Sequence, residues 1–274
     1  MLKTNYHTHC VRCKHATGSV IEYIDKAYEL GYIEIGMTDH NPILKSFMNS
    51  EEYIHNYCQE TMDISEIDDY LNEIKIAKDK YKNKMNVLSG FECEYLPSEH
   101  KFYEDLRKKV DYLNFGPHFF MHEGKILSSY DQVDYKTIYS YRDNCIQAME
   151  TGLFNTIVHP DIFMYHYKNI NGERKFDDAA IKVTKDIIEC AIKNNIYLEI
   201  NCNKIDLNHL DDPYKWPYPY ISFFEIAKNY KDAKFLIGID AHAPERLFGA
   251  HIERAIKFAK DLGINVEEKM IINH

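Results

Sequence analysis

Leu2-Lys-Thr-Asn-Tyr-His7-Thr-His9-Cys-Val-Arg-Cys-Lys-His15 sets three imidazoles within nine positions, ahead of any helix signal. Side chains two apart on a strand share a face, so His7 and His9 project together from one strand end, as two ligands of a single ion would. The next strand-like stretch, Tyr32-Ile-Glu-Ile-Gly-Met-Thr-Asp39-His40, again stops on histidine, just before the breaker Asn41-Pro42. Buried strands that end in metal-binding residue types recur along the chain, and that recurrence decides the fold.

Between these two strands, Ser19 caps a helix running to Gly31, with Val20, Ile24, Ala27 and Leu30 at helical spacing. Downstream, the pattern predicts helix 65–83 and a strand over 85–97, in which Glu92 and Glu94 share one face. It continues with helix 99–109, strand 110–118 ending at His118, helix 132–151, strand 154–161 containing His159, helix 177–195 and strand 196–201. Helix 218–230, strand 234–242 carrying Asp240 and His242, and helix 245–261 complete the run. Residues 43–64 form an aromatic, polar stretch whose length suits a functional lid.

Seven strands alternating with seven helices predict a parallel α/β architecture. No Gly-x-Gly-x-x-Gly or phosphate-loop motif marks an open nucleotide-binding sheet. A closed barrel is the arrangement that brings all the polar strand ends to one mouth. The expectation is therefore a single barrel of seven βα units spanning residues 1–274.

Composition narrows the partners. The net charge of −10 argues against a nucleic-acid groove or an anionic membrane surface, and no apolar run approaches the roughly 18 residues of a membrane span. The seven cysteines are odd in number and scattered, which reads as reduced thiols in a cytoplasmic protein with no signal peptide. Cys10-x-x-Cys13 has no second Cys-x-x-Cys to complete a zinc knuckle.

The candidate ligands are His7, His9, His15, His40, Glu92, His118, His159, Asp240 and His242, and they include seven of the 14 histidines. Nine ligands exceed the needs of one four-coordinate ion, so two to three divalent ions (zinc, iron or manganese) are expected, with Glu92 as the bridging carboxylate. Asp39 and Glu94 are placed to orient ligand imidazoles. Asp161 is a candidate general acid or contact for a substrate amine, a role Glu94 could share. Arg12, Lys204 and Arg246 are candidate phosphate clamps on the loops that follow the strands. Trp216, Tyr218 and Tyr220 read as packing residues, and the remaining seven histidines are assigned no role.

The motifs His7-Thr-His9, Thr38-Asp39-His40, Gly90-Phe-Glu92-Cys-Glu94-Tyr, Gly116-Pro-His118-Phe, Val158-His159-Pro160 and Ile239-Asp240-Ala241-His242 span the chain. In them the sequence resembles the polymerase and histidinol phosphatase (PHP) family, in its histidinol-phosphatase-like branch. The resemblance implies a distorted (β/α)7 barrel with a trinuclear site. One metal would be held by His7, His9, Glu92 and Asp240, a second by Glu92, His118 and His159, and a third by His15, His40 and His242. Around Asn201-Cys-Asn-Lys204 the sequence departs from relatives that tend to carry an arginine for substrate phosphate.

The chemistry implied is hydrolysis of a small phosphate monoester, with two cations lowering the pKa of a shared water for in-line attack on phosphorus. Glu92, Asp39 and Asp161 are the catalytic candidates. By resemblance the leading substrate is L-histidinol phosphate, a step of histidine biosynthesis. The rivals are another phosphoesterase, acting on phosphotyrosine, a nucleotide or another small phosphate, and a catalytically silent metal-binding protein.

Overall fold

In the computed structural model, which describes residues 2–42, 45–48 and 60–272, seven parallel strands form one continuous sheet. They are β1 (Thr4–Asn5), β2 (Glu34–Met37), β3 (Asn86–Cys93), β4 (Tyr112–Phe115), β7 (Thr156–Ile157), β8 (Tyr197–Asn201) and β9 (Lys234–Gly238), paired in that order. The first and last edges meet beyond their strands. Thr8 pairs in parallel with Ala241, and the His9 amide donates to the Ala241 carbonyl at 2.9 Å. The sheet is thus a barrel, as the alternation of strands and helices predicts.

Helices cover its outside because each crossover between parallel strands needs one. Val20–Glu29 begins on a capping box in which Ser19 and Glu22 satisfy each other's backbone amides. Asp177 caps Asp178–Lys193 in the same spirit, accepting from two amides of its first turn. Ile67–Tyr81, His100–Arg107, Ile138–Glu150, Ile221–Ala227 and Ala250–Leu262 complete the surround, each shorter overall than the sequence pattern predicts. The helix predicted over 218–230 opens only at Ile221, because Tyr220 before it is in an extended conformation.

One element is absent from the sequence reading. Between β4 and Ile138–Glu150, an antiparallel hairpin pairs β5 (Phe119–His122) with β6 (Lys125–Ser128). Its Glu123-Gly124 turn has both residues at positive φ, 47° and 79°, the two-residue geometry that matches strand twist. The lid proposed over 43–64 lies largely outside the described residues. Its described parts are a short helix, Lys45–Met48, and the turn leading to Ile67.

The two ends of the barrel are built differently. At the end where strands begin, Tyr6, Leu88, Tyr112, Tyr197, Leu236 and Met270 pack together. Met270 arrives on the segment after the last helix, which crosses this end: Val266 pairs with Phe235, and the Glu268 carbonyl accepts from Thr4. The Met270 and Ile271 amides donate to the Tyr6 and Tyr197 hydroxyls, both at 3.0 Å. Tyr6 in turn donates to the buried Glu34 carboxylate, and Tyr112 to the Tyr6 carbonyl at 2.9 Å. The six described cysteines, among them Cys10 and Cys13, are buried free thiols.

Candidate functional site

At the opposite end, where the strands finish, seven of the nine predicted ligands line one cavity of about 530 Å³, and His7 and His9 are buried against them beneath it. His7 Nε2, His9 Nε2 and Glu92 Oε2 lie 3.1–3.3 Å from one another, and Asp240 Oδ1 lies 3.1 Å from His9 Nε2 and 3.6 Å from His7 Nε2. Four donors held at about 2.0–2.1 Å from one tetrahedral ion would stand about 3.3 Å apart. The spacing therefore fits a first-row cation. A second cluster uses the other Glu92 oxygen, with Oε1 at 2.9 Å from His159 Nε2 and 3.1 Å from His118 Nε2. These two imidazole nitrogens are themselves 3.2 Å apart.

The third group is looser. His15 and His242 bring their Nε2 atoms to 3.0 Å, while His40 Nδ1 sits 3.3 Å from Glu92 Oε2. The His40 ring is 5.3 Å from that of His15 and 4.4 Å from that of His9. His15, on the loop after Val11–Cys13, is exposed and His242 is half-buried, whereas the other seven ligands are buried.

Charge supports the same reading. Burial alone would raise the Glu92 carboxyl, but His118, His7 and His40 overcome it and hold the group well below the usual range. Asp240 is held down in the same way by His7, His9 and His242 against the same burial. The two anions, with Glu199, hold His7 well above its ordinary value despite burial, and Asp240, Asp39 and Glu92 do so for His9. The cluster thus demands positive charge, and a divalent ion meets that demand by displacing the ring protons. Burial and the neighbouring His9 push His242 down to about 4, leaving a neutral ring with a free lone pair. Asp240 Oδ1 is also buried without a hydrogen-bond donor, as expected of an atom aimed at a cation.

A ring of supporting groups fixes the ligands. Glu199 Oε1 accepts from His7 Nδ1 at 2.7 Å and Glu94 Oε1 from His118 Nδ1 at 2.9 Å, so in each neutral ring the Nε2 lone pair faces inward. Asp39 stands 3.5 Å from His9 Nδ1 and accepts from the His40 amide and the Cys10 thiol. Gly238 leaves room for Glu199, since a Cβ there would overlap its carboxylate, and a Cβ at Gly116 would stand 2.5 Å from Glu92 Oε1. His159 and Asp240, both in the cavity lining, occupy positive φ, 32° and 52°, which costs roughly 1–3 kcal/mol each.

Several substrate expectations are corrected by placement. Arg12 is engaged by Glu73 at 2.6 Å and Glu66 at 3.3 Å, away from the cavity lining. Glu94 lies behind His118 and offers a substrate nothing. Asp161 is fully buried and accepts from the Tyr220 amide, and burial pushes its carboxyl up to about 7; it does not line the cavity, so neither the amine contact nor the acid role has access. Arg246 donates to the Asn203 carbonyl at 3.3 Å and so props the loop instead of reaching the cavity. Lys204 does line it, beside Asn203.

Other lining residues carried no mark in the sequence pattern: Glu60, Tyr130, Tyr165 and, against its assignment to packing alone, Tyr218. Trp216 does pack, against Phe258. Glu199 was also unmarked, although its place two residues before Asn201 on a strand facing the barrel interior is a usable signal.

Comparison with known proteins adds four findings. Residues 5–203 match the PHP domain family. A Deinococcus radiodurans protein named "Probable histidinol-phosphatase" is 23% identical over 266 residues, covering 94% of this chain and 92% of that protein. The Bacillus subtilis histidinol-phosphatase is 25% identical over 97 residues, 35% of each chain. Among solved structures, histidinol phosphate phosphatase from Lactococcus lactis, complexed with Zn, L-histidinol and phosphate, superposes with a TM-score of 0.69. The two are 18% identical, with 97% of this chain and 96% of that one covered, a likeness of fold. No described helix is long and apolar enough to cross a membrane.

Proposed function

Because the chain belongs to the PHP domain family, we propose that it is a histidinol-phosphatase-like phosphoric monoester hydrolase, with L-histidinol phosphate as its leading substrate. The observation that carries this reading is the pair of clusters that share Glu92, one carboxylate oxygen facing each. The reaction consumes water and releases L-histidinol and inorganic phosphate. Two to three divalent ions, of zinc, iron or manganese type, would supply Lewis acidity to the phosphoryl oxygens and make water more acidic.

The chain's own residues prepare the site. His7, His9, Glu92 and Asp240 would hold one ion, Glu92, His118 and His159 a second, and His15, His40 and His242 a third, the last with the most open surroundings. Glu199, Glu94 and Asp39 keep the rings in the orientation that presents lone pairs to the cavity. Lys204 is the one lysine or arginine lining the cavity among the described residues, and with Asn203 it can donate to a phosphoryl oxygen.

A kinetic screen tests the reading. Metal-reconstituted protein is assayed on an aryl phosphate, L-histidinol phosphate, phosphotyrosine and nucleoside monophosphates, with and without chelator. Chelator-sensitive turnover with the highest kcat/KM on L-histidinol phosphate is expected. A different best substrate would leave a phosphoesterase of other specificity, and no turnover of any ester by metal-loaded protein would leave a silent metal-binding protein.

A further inference from the structure

Three tyrosines stand on one side of the cavity, each from a different loop. Tyr130 follows the β5–β6 hairpin, Tyr165 ends the turn after β7, and Tyr218 lies in the loop after β8. The Tyr130 and Tyr165 rings meet at 5.8 Å and 85°, and the Tyr165 and Tyr218 rings at 6.3 Å and 52°. Tyr130 lies parallel to His118 at 5.9 Å, and Tyr218 lies 5.9 Å from His159. The tyrosines therefore border the two imidazoles of the second cluster and line the same cavity. Tyr165 keeps 38% of its surface exposed, a large apolar area for a core residue but a natural one for a ligand wall.

Of the carboxylates, Glu94 and Asp161 lie behind the lining and Glu92 and Asp240 face the ion clusters, which leaves Glu60 as the one lining carboxylate among the described residues that could compete for a cation. Next to such clusters a free carboxylate would itself bind a divalent ion, whereas the negative face of an aromatic ring attracts an organic cation without chelating metal. We propose that Tyr130, Tyr165 and Tyr218 form the leaving-group subsite and select monoesters of amino alcohols through cation–π contact with an ammonium group. The proposal rests on the monoester-hydrolase reading and names the groups that would set its specificity.

The test uses a matched pair of esters, choline phosphate and 3,3-dimethylbutyl phosphate, which differ only in a quaternary nitrogen against a quaternary carbon. The metal-loaded wild type should prefer the charged ester in kcat/KM by on the order of tenfold. Tyr165→Leu should bring the ratio to within about threefold, while Tyr165→Phe, which keeps the ring, should retain most of it. A wild-type ratio near one, a ratio that survives Tyr165→Leu, or a ratio that collapses with Glu60→Gln and not with Tyr165→Leu would overturn the proposal. Calorimetric titration with choline and 3,3-dimethylbutanol asks the same question without turnover, and equal or absent binding of both also overturns it. Failure to hydrolyse either ester or an aryl phosphate, with choline still preferred in the titration, would sink the hydrolase reading and keep the subsite.

Discussion

The two ends of the barrel are made from the same strands and solve opposite problems. Where the strands begin, every tyrosine hydroxyl of the plug has a protein partner, and Met270 packs among the rings. Where they finish, imidazole nitrogens and carboxylate oxygens crowd to about 3 Å with Asp240 Oδ1 left without a donor, and two residues sit in left-handed backbone conformations. One end is complete as folded; the other becomes complete only when something positive binds. Stability should therefore be held at the plug and chemistry at the mouth, with little trade between them.

The strongest break of that contrast comes from Glu92→Gln. Losing the negative charge shared by two clusters should lower kcat by a factor on the order of a thousand or more while the melting temperature of metal-free protein stays close to wild type. A folded variant with near wild-type kcat would remove the shared role of Glu92. At the plug, Met270→Ala should do the reverse. Truncating a buried methionine typically costs about 2–5 kcal/mol, read by denaturant unfolding, with kcat/KM of the remaining folded protein within about twofold of wild type. A large kinetic loss there would mean that the two ends are coupled.

Glu199→Gln sharpens the comparison from within the mouth. The substitution keeps the shape but removes the charge behind His7, and it sets an amide donor against the His159 amide that Glu199 now accepts at 2.9 Å. Metal affinity measured by competition with a chromophoric chelator should fall by about 10–100-fold. An unchanged affinity would reduce Glu199 to a filler of the space left by Gly238.

How much of this was legible follows the same division. The mouth could be read because its ligands are chemically rare and recur at strand ends, so even ligands 235 positions apart, His7 and His242, announce themselves separately. The plug could not, since tyrosine and methionine are ordinary core residues and Met270 lies beyond the last periodic helix. Support for His118 and His9 was legible because Glu94 and Asp39 sit in or beside ligand motifs, whereas Glu199 reaches His7 across 192 positions. Nearness in sequence misled for Arg12 and Asp161: each neighbours a ligand, yet its side chain turns to Glu66 and Glu73, or to the Tyr220 amide. The hairpin left a readable trace in Glu123-Gly124 between two short β-rich runs. The three tyrosines left none, because packing and binding draw on the same rings.

The pairing of Thr8 with Ala241 also sets a timetable. Synthesis runs from the N-terminus, and the first and third clusters each draw on residues from both ends of the chain. Only the Glu92, His118 and His159 trio can assemble once the first 160 or so residues have emerged, about 60% of the chain. His7, His9 and His15 must wait for β9 to deliver Asp240 and His242, and the plug must wait longer still. Contacts of such sequence separation are slow to form, because the intervening chain loses its freedom before they reward it. During that interval the nascent protein displays unpaired imidazoles and an unsealed barrel, so availability of the cation during synthesis, and not only afterwards, should govern the yield of folded molecules.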